Sequence, residues 1–189
     1  MLQVYTGNGK GKTTAAIGLA MRAVGAGFNV YIMQFMKSLA YSEQKVLQKI
    51  PNITLKTSGK PFFIAEEGML DAKTRAAFGD SVVIFPKGKP PKDYVELIKK
   101  GLADAQAAIK SKKYQLLILD ELNVALAFAL VGKDDVLSLL GSVPSDMEIV
   151  LTGRNAPAWL IERADLVTDM QEVKHYYTKG VAARRGIED

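Results

Sequence analysis

The first twenty-six residues constrain this chain more than any other stretch. An apolar run reaching Val4-Tyr5 gives way to Thr6-Gly7-Asn8-Gly9-Lys10-Gly11-Lys12-Thr13-Thr14, and a helix-forming run from Ala15 to Ala26 follows. Strand, glycine-rich turn and helix in that order build a cradle for a polyphosphate, because loop amides and the unpaired amides of the helix start point at an anion. Gly7, Gly9 and Gly11 allow close backbone approach, Lys12 adds a mobile positive charge, and the Thr13 hydroxyl, followed by Thr14, can ligate Mg²⁺. The chain is expected to bind a nucleoside triphosphate.

The loop departs from the general pattern. That pattern sets a glycine five residues before the glycine of Gly-Lys-Thr; here the position is Thr6, and the first glycine is Gly7. The loop is one residue short, which changes the phosphate oxygens its amides can reach. Ordinary ATP or GTP hydrolysis does not follow from such a loop.

At 189 residues the expectation is a single nucleotide-binding domain over 1–189, with 48% hydrophobic and 24% charged residues. No segment has the length of a membrane span and no secretion signal is legible, so no membrane partner is expected. The absence of cysteine excludes disulfides, thiolate metal sites and cysteine nucleophiles, and suits a cytoplasmic protein. The net charge of +5 is spread along the chain apart from Lys110-Ser111-Lys112-Lys113 and Arg184-Arg185. It reads as solvated helix faces and phosphate contacts rather than a nucleic-acid surface.

Apolar runs alternate with helical segments. Strands are expected at Val30–Phe35, Ile53–Thr57, Leu116–Leu119, Met147–Leu151 and Leu166–Thr168, with another at Val173–Tyr177. Helices are expected at Ser42–Ile50, Asp93–Lys112, Leu122–Val131, Asp135–Leu140 and Pro157–Arg163. Residues 58–92, punctuated by glycine and proline, read as an irregular insertion. Strands that are continuously apolar imply an α/β fold whose mostly parallel central sheet is covered on both faces. Ligands bind such sheets at the carboxyl ends of the strands, where Gly7, Phe35, Asp120 and Thr152 can converge.

Asp120-Glu121 closes an apolar strand where an acidic site is needed opposite the phosphate loop. One carboxylate of the pair can bind Mg²⁺ and the other can hold a water or Thr13. Arg154, in Thr152-Gly153-Arg154, can clamp phosphate. The sole histidine, His175, reads as packed or solvent-facing rather than catalytic. Phe62-Phe63 reads as core, or as a cover for an apolar ligand face.

Taken together, Thr6 to Ala16, Arg22-Ala23-Val24-Gly25, Gln34-Phe35-Met36-Lys37, Leu119-Asp120-Glu121-Leu122, Thr152-Gly153-Arg154 and Val173-Lys174-His175 resemble, in order, the P-loop ATP:corrinoid adenosyltransferases. So do Ala164-Asp165, Gly180-Val181 and Gly186-Ile187. The likeness is weakest between residues 38 and 110. It implies a RecA-like P-loop NTPase sandwich of three layers, and a reaction in which Co(I) of a reduced corrinoid attacks the 5′ carbon of ATP and displaces triphosphate. It also implies an ATP orientation suited to the short loop, an electron-donor reductase and a homodimer. By the resemblance Lys12, Thr13 and Glu121 are the catalytic set, Thr13 and Glu121 match the metal positions beside the Asp120 candidate of the strand end, Lys12, Mg²⁺ and Lys10 neutralise the departing triphosphate, and Asn8 and Arg22 lie near the nucleotide. Phe62 and Phe63 are the candidates to shield the lower face of the corrin; here Ser58-Gly59-Lys60-Pro61-Phe62-Phe63 replaces the family's Gly-Phe-Thr-Trp. The rival readings are an ATPase or kinase of the same fold, a nucleotide-gated corrinoid carrier without turnover, and a nucleic-acid-binding ATPase.

Overall fold

The computed structural model describes residues 1–188, apart from the side chain of Lys73. Six strands form one sheet in the order β3-β2-β6-β7-β1-β8, and each pairing within it is parallel. They are β1 (Leu2–Thr6), β2 (Val30–Phe35), β3 (Ile53–Ser58), β6 (Leu116–Asp120), β7 (Glu148–Thr152) and β8 (Leu166–Asp169). β2 and β6 are buried along their whole length. Continuous apolar runs such as Leu116-Leu117-Ile118-Leu119 have this cause: a strand covered on both faces needs no polar side.

Alternate residues of these strands feed two cores. Ile32, Leu116, Ile118 and Val150 meet Ala16 and Ala20 of α1 (Lys12–Gly25) and Leu47 of α2 (Ser42–Leu47). On the other face Met33, Leu117, Leu119 and Leu151 meet α4 (Lys92–Lys110), α5 (Leu122–Ala127), α6 (Lys133–Gly141) and α7 (Ala158–Arg163). Helix, sheet and helix make the three-layer α/β sandwich expected of a P-loop fold.

The insertion has more order than its punctuation suggests. β4 (Phe63–Glu66), α3 (Ala72–Phe78) and β5 (Val82–Phe85) form a strand–helix–strand unit with its own parallel pair. Its buried Ile64 and Phe85 join the larger core, and the Phe85 ring meets Phe128 edge-on at 5.7 Å. The glycines and prolines that read as irregularity lie mainly between these short elements.

Two helices end earlier than their composition suggests. α2 stops at Leu47, ahead of Pro51. α5 stops at Ala127 because Ala129 turns left-handed (φ 54°), the Leu130 amide donates to Ala125 and the Ala129 amide to Leu126. That is a Schellman closure with alanine in the place usually held by glycine.

The strand expected at Val173–Tyr177 does not form. β8 is the sheet edge, and the chain after it turns back over the phosphate loop, where the Met170 carbonyl accepts from the Gly9 amide at 2.6 Å. Without a neighbouring strand to pair with, Val173 is 95% exposed, and a 3₁₀ turn forms at Tyr176–Lys179.

Candidate active site

A cleft of about 880 Å³ opens at the carboxyl ends of β1, β2, β6 and β7. Residues Gly9 to Thr14 form one side of it, with Lys37, Glu121 and Arg154 also in its lining. Of the five described non-glycine residues with positive φ, Met36, Glu121 and Asn155 all line this cleft. Each follows a strand end, and such bends cost about 1–3 kcal/mol apiece, a pattern typical of sites where the backbone is held for function.

The phosphate loop is pinned from outside the cleft. Gly7 (φ 92°) and Gly11 (φ 119°) take conformations that favour glycine. At Gly9 the reason is space: a Cβ there would lie 2.6 Å from the Met170 carbonyl oxygen. Lys12, buried at the helix start, donates to the carbonyls of Gly7 at 2.6 Å and Gly9 at 2.7 Å. Burial and the Arg154 charge push its pKa down, against the opposing charges of Glu121, Asp169 and Asp120.

Asp120 organises the floor. Its Oδ1 accepts from the hydroxyls of Thr13 at 2.8 Å and Thr152 at 2.7 Å. Its Oδ2 accepts from Gln34 at 3.1 Å and Lys37 at 2.9 Å. Burial alone would raise its pKa, but the Lys37 charge and the hydrogen bonds from Lys37, Thr152 and Thr13 outweigh burial and hold it below the usual carboxylate range. Lys37 shows the reciprocal effect: burial works against its charge, and Asp120 more than restores it.

Glu121 behaves in the opposite way. Burial raises its pKa, the adjacent Asp120 charge raises it further, and Lys37, Lys12 and Arg154 offset this only in part. Its amide donates to the Thr152 hydroxyl at 3.0 Å, which fixes its left-handed turn. Of the two adjacent acids, Asp120 holds Thr13 and has both oxygens engaged, while Glu121 faces the cleft.

The other expected residues divide. Arg154 lines the cleft, with Nη2 3.4 Å from the Asn8 carbonyl. Lys10 reaches the carboxyl-terminal tail, donating to the Ile187 carbonyl at 3.0 Å and lying 3.8 Å from Glu188. His175 is at the rim, its Nδ1 accepting the Tyr177 amide. Arg22 sits exposed in the last turn of α1, outside the lining. Phe62 and Phe63 are not brought to the cleft either: Phe62 packs on Tyr94 at 6.2 Å between ring centroids, and Phe63 on Phe78 at 5.3 Å. The apolar lining includes Val46, Ile64, Met69, Val124 and Phe128 instead.

Sequence reasoning gave no role to Lys37 or Gln34. The available signal was their position, Gln34 as the one amide in a buried strand and Lys37 just past its carboxyl end, on the neighbour of the strand ending in Asp120.

The family model of ATP:corrinoid adenosyltransferases (BtuR/CobO/CobP) matches residues 1–188. The chain belongs to this family. The corrinoid adenosyltransferase of Pseudomonas aeruginosa is 32% identical over 192 residues, covering 100% of this chain and 83% of the relative. Those of Salmonella typhimurium and Escherichia coli K12 are 30% and 31% identical, each covering 98% of this chain and 83% of the relative. As a corrinoid adenosyltransferase the chain is an enzyme, with ATP and a corrinoid as the substrates its family implies. Among the described residues no helix is long and apolar enough to cross a membrane.

Proposed function

We propose that this adenosyltransferase transfers the 5′-deoxyadenosyl group of ATP to Co(I) of a reduced corrinoid and releases triphosphate. One observation carries the reading: a short phosphate loop, tied through Thr13 to Asp120, shares a single cleft with an apolar wall. The polar side suits a polyphosphate and the wall of Val46, Ile64, Met69, Val124 and Phe128 suits a corrin face.

In the reaction the cobalt electron pair forms the Co–C5′ bond as the C5′–O5′ bond breaks, and the oxygen leaves with its pair on triphosphate. Cobalt passes formally from Co(I) to Co(III), so a one-electron reductant, supplied by a partner reductase, must first deliver Co(I) from Co(II). The protein's share is orientation of two reactants and stabilisation of the charge that gathers on the leaving group. Lys12 and the loop amides bind the polyphosphate, and Arg154, beside the loop at Asn8, adds a further cation. The apolar wall excludes water from the corrin face.

Mg²⁺ fits the donor set. Thr13 gives its hydroxyl proton to Asp120, which leaves oxygen lone pairs for a cation, and Glu121 supplies a cleft-facing carboxylate. Thr13 and Glu121 would hold the ion, with Asp120 orienting Thr13 from behind. When bound, Mg²⁺ would neutralise polyphosphate charge.

The test mixes protein, ATP, Mg²⁺ and chemically reduced cobalamin, follows the cobalt absorbance and assays triphosphate. Adenosylated product with one triphosphate per turnover is expected. Orthophosphate without adenosylation would instead mark an ATPase, and tight ATP binding without product a carrier.

A further inference from the structure

We propose that Lys37 is a catalytic cation of the phosphate end, binding the triphosphate as it departs. This rests on the adenosyl-transfer reading above. Lys37 lies two residues beyond β2, after the left-handed bend at Met36 (φ 60°), and lines the cleft beside Thr13 and Glu121. Its Nζ is 2.9 Å from Asp120 Oδ2, 3.4 Å from Thr13 Oγ1 and 3.9 Å from Glu43 Oε1, and it lies over the Tyr41 ring at 5.2 Å from the centroid.

Asp120 does not need Lys37 to satisfy its hydrogen bonding, because Thr13, Thr152 and Gln34 already donate to it. What Lys37 supplies is charge. An ammonium has three donors; Asp120 takes one at short range, and Thr13 takes another only weakly. The group is thus held at the cleft with donor capacity to spare, next to the hydroxyl assigned to the metal. Breaking the C5′–O5′ bond adds negative charge to the α-phosphate end of the leaving group. A cation already fixed beside Thr13, on the polyphosphate side of the cleft, stabilises that charge without reorganising at the moment of reaction. The Asp120 partnership positions the cation, because Asp120 is buried and is itself held by Thr13, Thr152 and Gln34.

The experiment measures binding of tripolyphosphate alone to the full chain by calorimetry, with and without Mg²⁺, for wild type and Lys37→Met. Loss of a charge-assisted hydrogen bond predicts roughly tenfold weaker tripolyphosphate binding in K37M. The adenosyl-transfer rate constant is expected to fall more than the KM for ATP rises. Wild-type tripolyphosphate affinity in folded K37M would overturn the proposal and leave Lys37 as the counter-charge of Asp120. If K37M does not fold, Lys37→Gln, which keeps a hydrogen-bond donor for Asp120 but removes the charge, takes its place, and wild-type tripolyphosphate binding in K37Q overturns the proposal. The calorimetric arm uses no corrinoid. Failure of wild type to adenosylate cobalamin would therefore sink the functional reading separately from the role of Lys37 in binding.

Discussion

The Thr13 hydroxyl donates to Asp120 Oδ1 at 2.8 Å, joining the first turn of α1 to the end of β6 across 107 positions of chain. Through it, the Thr13 end of the phosphate loop is set by a carboxylate that itself rests on Thr152, Gln34 and Lys37. The two adjacent acids thereby separate into an internal organiser and a cleft-facing carboxylate.

Asp120→Ala should destabilise the protein by about 3–5 kcal/mol, because it leaves the Lys37 ammonium without its partner in a largely buried place. Chemical denaturation measures this. A loss under 1 kcal/mol would mean that Lys37 reaches solvent or Glu43 at little cost.

Glu121→Gln should stabilise the ligand-free protein at neutral pH while reducing transfer by roughly a hundredfold. The folded pKa of Glu121 is raised above its ordinary 4.5, so its contribution to stability is present below 4.5 and lost as pH rises through the folded value. The gap between E121Q and wild type should therefore open with rising pH and then level off. Denaturation curves across pH check the sign; a gap that closes with rising pH would contradict the raised pKa.

Gly9→Ala should displace the phosphate loop, since its Cβ would fall 2.6 Å and 2.7 Å from the carbonyl oxygens of Met170 and Gln171. We expect about 1–3 kcal/mol of destabilisation with weakened ATP binding. Gly18, inside α1, meets nothing within 4 Å, so Gly18→Ala should stabilise by about 0.5–1 kcal/mol and serves as the contrast. Nucleotide titration and denaturation of both variants decide the matter.

Met69→Ala and Val46→Ala should raise the KM for the corrinoid several-fold with little change in the KM for ATP, because both are exposed in the apolar lining. Phe63→Ala, at a ring turned to Phe78, should leave the corrinoid KM unchanged. Steady-state kinetics with each substrate varied in turn would detect the reverse pattern, which would return the corrin face to the Phe62-Phe63 pair.

Glu188→Ala should tighten ATP binding by a few-fold, because the tail and the polyphosphate compete for Lys10. The effect is small because contacts at such exposed pairs are worth about 0–1 kcal/mol. An unchanged affinity would show that they do not compete for Lys10, and a weakened one would make the tail part of the nucleotide site.

The sequence by itself determined the strand, short phosphate loop and helix at the amino terminus, the buried strands and the acid pair closing β6. These are local properties: glycine spacing, a lysine and threonine at a helix start, and apolar runs carry their meaning within a few residues. The tertiary structure decided which acid holds Thr13, because that depends on the left-handed turn at Glu121 and on β6 lying between β2 and β7. It gave Lys37 and Gln34 their place, since their partner is 83 and 86 positions away. It also turned the insertion into a strand–helix–strand unit whose Ile64 and Met69, not Phe62 and Phe63, reach the cleft. Side chains distant in sequence meet only through strand order and register, and neither is written in any single stretch of chain.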